Sequence, residues 1–229
     1  MQKFIEDNSL RDRLYIFKNR QEAGMLLAQK LSGYKGTDGI ILGIPSGGVP
    51  VAAEVAKVIV LPLDLIIVRK VQIPYNPEAG FGAAGPDGKV VLNQEILNSL
   101  DLTKEEIDQQ IQITMDKIRR RDKLFRKGLP FPSVKDKVVI IVDDGLASGY
   151  TMLSAIDFVK IHKPQKIVVA VPTALDRTVD RILPHADELV CLNVRSGWSF
   201  AVADAYENWY DLEDDEVISI LKYFHPDQE

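Results

Sequence analysis

The stretch Val138-Val139-Ile140-Ile141-Val142-Asp143-Asp144-Gly145-Leu146-Ala147-Ser148-Gly149-Tyr150-Thr151 decides what this chain folds into. Five consecutive β-branched residues predict a strand buried on both faces, as in a parallel sheet. A glycine-containing loop follows at once and leads into a helical run over about 150–161. The same order occurs earlier, with an apolar run at 40–44, the loop Pro45-Ser46-Gly47-Gly48, and a helical stretch at 51–56. Apolar runs at 65–68, 167–171 and 189–192 predict further strands, with a helical segment near 177–183 between the last two. Asn19 and Glu22 have the spacing of a capping box and predict a helix over 19–31. Strands alternating with helices predict an α/β fold, a mostly parallel sheet flanked by helices on both faces.

Between the second and third main strands the chain makes a long excursion, residues 71–137. Its first part holds Pro74, Asn76, Pro77, Gly80, Gly82, Gly85 and Gly88, turn formers that predict a mobile flap. Gly80-Phe81-Gly82-Ala83-Ala84-Gly85 is spelled like a dinucleotide fingerprint, but Pro86-Asp87-Gly88 stands where that fingerprint needs a helix, so it is set aside. Its second part opens with Thr103 and Glu106, another capping box. Ile107, Ile111, Met115, Ile118 and Phe125 then mark one helical face, and Gly128 and Pro130 end the run. The same helix carries Lys117, Arg119, Arg120, Arg121, Lys123, Arg126 and Lys127. Such a run is expected to be solvated or to favour the helix C-terminus, the alternative being contact with a second subunit or RNA. One domain is expected over 1–229, with the flap and helical insertion at about 71–137 and a small C-terminal hood at about 193–229.

Composition narrows the class. At 229 residues, 46% hydrophobic and 27% charged, the chain can bury roughly 70% of its unfolded surface. Its apolar runs fall short of the roughly 20 residues that span a bilayer, and residues 1–10 lack a signal-peptide pattern. A single cysteine, Cys191, excludes an intrachain disulfide, and the expected location is cytoplasmic, away from any membrane. Cys191 sits in a strand pattern and reads as a small buried residue. His162, His185 and His225 lack metal-ligand spacing, so no zinc site is expected. The net charge is −5, but residues 204–229 hold nine carboxylates against Lys222, which leaves +3 for the rest of the chain. A positive pocket for an anion is compatible with that division.

In open parallel sheets, ligands bind beyond the carboxyl ends of strands, where loops enter helix N-termini. Residues 143–151 occupy that position. Ser148 and Thr151 bring hydroxyls, Gly149 lets the backbone come close, and helix N-terminal amides suit a phosphate. Ionised Asp143 and Asp144 accept hydrogen bonds only, which suits sugar hydroxyls or a hydrated cation. A diol at one end and a phosphate at the other describe a ribose 5-phosphate. The stretch resembles the phosphoribosyl pyrophosphate motif of the type I phosphoribosyltransferases, two acidic residues followed by a loop ending in Thr-Gly-x-Thr. Similarity extends over roughly 14–220. Ile44-Pro45-Ser46-Gly47-Gly48-Val49-Pro50 resembles the family's pyrophosphate loop and Val68-Arg69-Lys70 its basic strand end. The runs 128–137 and 187–192 resemble a group of uncharacterised bacterial and archaeal members.

That resemblance implies a parallel core, a mobile flap and a hood. It implies that Asp143 and Asp144 hold the ribose 2′- and 3′-hydroxyls, directly or through magnesium-bound water, and form the catalytic set with Lys70. Ala147, Ser148, Gly149, Tyr150 and Thr151 would wrap the 5-phosphate. Ser46, Gly47, Gly48, Arg69 and Lys70 would serve the pyrophosphate, and Trp198 and Phe200 are candidates for stacking on a base or for hood packing. The implied activity transfers a 5-phosphoribosyl group from phosphoribosyl pyrophosphate to a nitrogenous base, with Mg2+ as cofactor and a homodimer as the assembly. Some positions depart from the pattern. Ser148 replaces a threonine and keeps the hydroxyl, while Tyr150 replaces a small residue and its ring must find room. Ser46 stands where close relatives carry arginine, which removes a cation from the pyrophosphate end. Ala147 stands where 6-oxopurine enzymes place an aspartate and is similar to the adenine-type pattern. The alternative function is a non-catalytic regulator that binds phosphoribosyl ligands or nucleotides, with the basic helix on RNA. A phosphoacceptor receiver domain explains the acid pair but finds no use for residues 148–151.

Overall fold

Alternate residues of the central strand Val138–Val142 (β7) face opposite ways. Val139 and Ile141 join one buried cluster, and Val138, Ile140 and Val142 join another. Each of these side chains, fully buried, contributes about 1.5–3 kcal/mol, so both sheet faces must be covered. The computed structural model, which describes residues 3–127 and 129–225, shows how. In chain order the elements are β1 (Lys3–Glu6), α1 (Arg20–Lys30), β2 (Gly39–Gly43), α2 (Gly48–Ile59), β3 (Leu63–Leu65), β4 (Arg69–Ile73), β5 (Asn76–Ala84), β6 (Val90–Leu92), α3 (Gln94–Asn98) and α4 (Lys104–Arg126). After β7 come α5 (Tyr150–Lys160), β8 (Lys166–Leu175), α6 (Asp176–Ile182), β9 (Glu188–Arg195) and α7 (Asp214–Phe224).

Six strands form a parallel sheet in the order β1-β9-β8-β7-β2-β3. Helices α1 and α2 cover one face through Leu27, Leu31, Val51, Val55 and Ile59. Helices α5 and α6 cover the other through Met152, Ile156, Phe158, Val179 and Ile182. Thus β2 and β7 are neighbours whose following helices leave to opposite faces, the topology that opens a crevice at their carboxyl ends.

The expected elements return with shifted ends, and three differences have physical reasons. The strand expected at 65–68 spans only Leu63–Leu65, because its one neighbour, β2, ends at Gly43 opposite Leu65. Strand β1 has four residues at the sheet edge, too few for its alternation to be seen. The flap is an antiparallel sheet, β4-β5-β6, packed with α4 and α7, and its glycines serve close packing. A Cβ on Gly82 would lie 2.6 Å from the Val91 carbonyl oxygen, and one on Gly85 2.0 Å from the Phe158 ring. Only Gly88, with φ at +83°, takes a turn conformation that favours glycine. The long helix follows its capping box at Thr103 and Glu106, while its expected stop, Gly128, lies outside the described residues. The segment expected as a hood from about 193 starts with the end of β9, which runs to Arg195. Its helix α7 joins the flap cluster through Val217 and Leu221.

Candidate functional site

The two loops singled out by sequence meet in the β2/β7 crevice. Gly47 and Gly48 open α2 directly beside the acid pair. A Cβ on Gly47 would lie 1.9 Å from Asp144 Oδ2, and one on Gly48 2.7 Å from the Val142 carbonyl oxygen and 2.8 Å from Asp143 Cα. Two glycines are therefore what lets the second loop lie against the first. The peptide bond between Pro45 and Ser46 is cis.

Asp143 and Asp144 are half-buried at the end of β7. Asp143 Oδ1 accepts the Asp144 amide at 2.9 Å. Burial and the charge of Asp144 push Asp143 well above the usual carboxylate range. Burial also raises Asp144, against the pull of the Arg20 guanidinium. Sequence reading missed Arg20. Its Nε donates to Asp144 Oδ2 at 2.9 Å, its Nη1 donates to the Tyr210 carbonyl at 2.9 Å, and its guanidinium lies 3.9 Å from the Trp209 ring centroid. Tyr206 donates its hydroxyl to the Asp144 carbonyl at 2.6 Å. A usable signal did exist, because an arginine in the first turn of a helix opposes the helix dipole and needs a carboxylate elsewhere.

The loop after the acid pair is pinned from behind. The Leu146 amide donates to the Thr173 carbonyl and the Leu175 amide to the Leu146 carbonyl. Thr178 Oγ1 donates to the Ala147 carbonyl at 2.6 Å, and Arg181 Nη1 to the Ser148 carbonyl at 2.7 Å. With those carbonyls held by α6, Gly149 caps α5 in the left-handed region at φ +78° and brings no side-chain acceptor. The first-turn amides of α5 thus have the character of an anion cradle. Ala147, Ser148, Tyr150 and Thr151 are exposed beside it. The Tyr150 ring finds its room in solvent, 5.8 Å from Lys70 Nζ and 5.1 Å from the Arg181 guanidinium.

Two cavities flank this loop. One, of about 320 Å³, is lined by Ile44 and Pro45, by 66–70 including Arg69 and Lys70, by Gln72, by Thr114, Lys117 and Arg121 of α4, and by Ser148, Tyr150 and Thr151. Ser46 stands beside it, its Oγ accepting from Arg121 Nη2 at 2.6 Å. The other, of about 400 Å³, gathers Ala147, Ser148, Tyr150, Leu175, Arg177, Thr178, Arg181, Trp198 and Phe200. Both stacking candidates therefore sit next to the loop, Trp198 at 95% exposure and Phe200 with the Arg195 guanidinium 5.0 Å from its ring.

The α4 basic run is divided. Arg119 pairs with Asp116 at the surface, as expected for a solvated face. Arg126 is buried, donating to the Pro130 carbonyl and facing Asp64 at 3.4 Å. Arg121 and Lys117 face the first cavity. Cys191 is fully buried in β9, where burial pushes its thiol up, away from nucleophilic use. Among the described residues no three His, Cys, Asp or Glu side chains converge as a metal cage, and none of the helices is long and apolar enough to cross a membrane. An acid pair such as Asp143 and Asp144 fits a magnesium ion that keeps several of its waters and is held in addition by substrate phosphate.

Residues 12–207 match the phosphoribosyl transferase domain family. Two Mycobacterium tuberculosis proteins, from strains CDC 1551 / Oshkosh and H37Rv, each carry the name "Putative phosphoribosyl transferase". Each is 39% identical over 212 residues, 93% of this chain and 48% of its own length. The chain thus spans about half the length of the curated relatives it matches. The crystal structure of TT1426 from Thermus thermophilus superposes with a TM-score of 0.83 at 36% identity, covering 91% of this chain and 98% of that one.

Proposed function

The chain belongs to the type I phosphoribosyltransferase family, and we propose that it transfers a 5-phosphoribosyl group from phosphoribosyl pyrophosphate to a nitrogenous base. One observation carries this reading. At a single topological switch point the fold joins an acid pair, a helix N-terminal anion cradle and a cation-lined cavity, features whose chemistry suits the diol, the 5-phosphate and the diphosphate of that donor.

In this reading the C1′–oxygen bond to pyrophosphate breaks, the sugar becomes oxocarbenium-like, and a ring nitrogen of the acceptor bonds to C1′ as its proton passes to solvent or to the departing pyrophosphate. Asp143 and Asp144 accept from the ribose hydroxyls and fix the sugar. The amides at Ala147 to Thr151 hold the 5-phosphate. The loop Ser46, Gly47, Gly48, with Arg69 and Lys70, stabilises charge that grows on the leaving oxygens. Asp143 and Asp144 would hold a hydrated magnesium ion, which would supply further positive charge to the diphosphate. The acceptor would occupy the second cavity, against Trp198 and Phe200. This reading brings with it a role in nucleotide salvage, a cytoplasmic setting and a homodimer.

Calorimetric titration with phosphoribosyl pyrophosphate, with and without magnesium, tests it. Magnesium-dependent micromolar binding, lost in Asp143→Asn and Asp144→Asn, is expected, as is pyrophosphate release when the right base is added. Equal binding by the wild type and both variants would overturn the assignment of the acid pair.

A further inference from the structure

Helix α4 lies in the insertion, outside the strand-loop-helix units that form the crevice. Yet Arg121 Nη2 bonds Ser46 Oγ at 2.6 Å across 75 residues of sequence. Arg121 Nε is buried and, among the described residues, has no hydrogen-bond partner. Thr114, Lys117 and Arg121 recur at helical spacing and line the 320 Å³ cavity together with Arg69 and Lys70. Among the described residues no carboxylate lines that cavity. Burial disfavours the charged Arg121 guanidinium, Asp214 at the start of α7 favours it, and Arg69 disfavours it. Four cationic side chains around one cavity repel one another, and a multiply charged anion relieves that repulsion. A planar guanidinium also matches two phosphate oxygens at once.

We propose that α4 is the second wall of the diphosphate site, with Arg121 and Lys117 as direct ligands of the donor's pyrophosphate. Ser46 holds Arg121 at the loop until the anion arrives. This proposal rests on the phosphoribosyl reading of the crevice and adds residues that neither loop contains.

Calorimetry with three probes, phosphoribosyl pyrophosphate, inorganic pyrophosphate and ribose 5-phosphate, separates the two. Arg121→Ala is expected to weaken both diphosphates by about 10- to 100-fold, the range for a lost charge-assisted hydrogen bond, and Lys117→Ala by about 10-fold. Ribose 5-phosphate should stay within about twofold, because it lacks the group α4 binds. Arg121→Lys, which keeps the charge and the fold but loses the fork, should fall between. Lys123→Ala, exposed on the same helix, should change nothing. Should wild type bind phosphoribosyl pyrophosphate and both Arg121 variants bind it equally well, the α4 proposal is overturned and the donor site stands. Wild type that binds pyrophosphate but neither phosphoribosyl ligand, with that binding lost in Arg121→Ala, keeps the α4 site and overturns the phosphoribosyl reading.

Discussion

Arg20 Nε meets Asp144 Oδ2 at 2.9 Å, with 6% and 14% of the two side chains exposed. This pair ties the first turn of α1 to the end of β7. The guanidinium is further held by the Tyr210 carbonyl and the Trp209 ring, so the C-terminal segment after β9 closes over it. Arg20→Met would leave Asp144 shielded without its counter-charge. Breaking such a pair costs about 3 kcal/mol. Urea denaturation should show that loss, and Arg20→Lys a smaller one. A change below about 1 kcal/mol would mean that the pair is solvated and structurally idle.

Gly47→Ala tests how closely the two loops must approach. The added Cβ would fall 1.9 Å from Asp144 Oδ2, so the carboxylate or the loop must move. A cost of about 1–3 kcal/mol is expected, and donor binding should fall at least as far as in Asp144→Asn. A variant with unaltered stability and binding would show that the loops can separate freely.

Gly85→Ala places a Cβ 2.0 Å from the ring of buried Phe158. The clash is with a core side chain that also packs edge-on against Phe131. About 1–3 kcal/mol of destabilisation is expected, with hydrogen exchange accelerated in β5 and β6 before β7. Uniform acceleration across both sheets would contradict a flap that opens by itself.

His162 anchors the turn between β5 and β6. It packs 4.9 Å from Phe158 and 5.5 Å from Phe131, and its Nε2 lies 3.1 Å from Asp87 Oδ2. Burial, joined by the charge of Lys89, lowers its pKa from 6.5, and Asp87 opposes them only in part. The folded state therefore binds fewer protons than the unfolded one near that pH. Stability from this contact is present above about pH 6.5 and lost as pH falls toward the folded pKa. Exchange of the β5–β6 turn amides, corrected for intrinsic rates, should speed up between pH 7.5 and 5.5. His162→Phe should remove the pH dependence, and a flat wild-type profile would refute it.

The two strand-loop-helix units were legible because their signals are local. Apolar runs at 40–44 and 138–142, glycines after them and helical spacing beyond all lie within about two dozen residues in each unit. The flap was misread for a related reason. Its glycines carry no mark that separates a turn from a close strand contact, and only Val91, Val71 and Phe158 on neighbouring elements reveal which is meant. Lys117 and Arg121 were read with their solvated neighbours because a charge run shows composition, whereas the inward stripe depends on which face α4 turns to Ser46.

Sequence alone determined the α/β class, which rests on short-range periodicity, and it carried the motif resemblance to the phosphoribosyltransferase family to which the chain belongs. Tertiary structure decided that β2 and β7 are neighbours whose helices part to opposite faces, which brings the two loops together. It also decided that Arg20 would neutralise Asp144 and that Arg121 would reach Ser46. Those partners are 124 and 75 residues apart, and no local pattern names the partner of a contact that strand pairing and helix packing make at that separation.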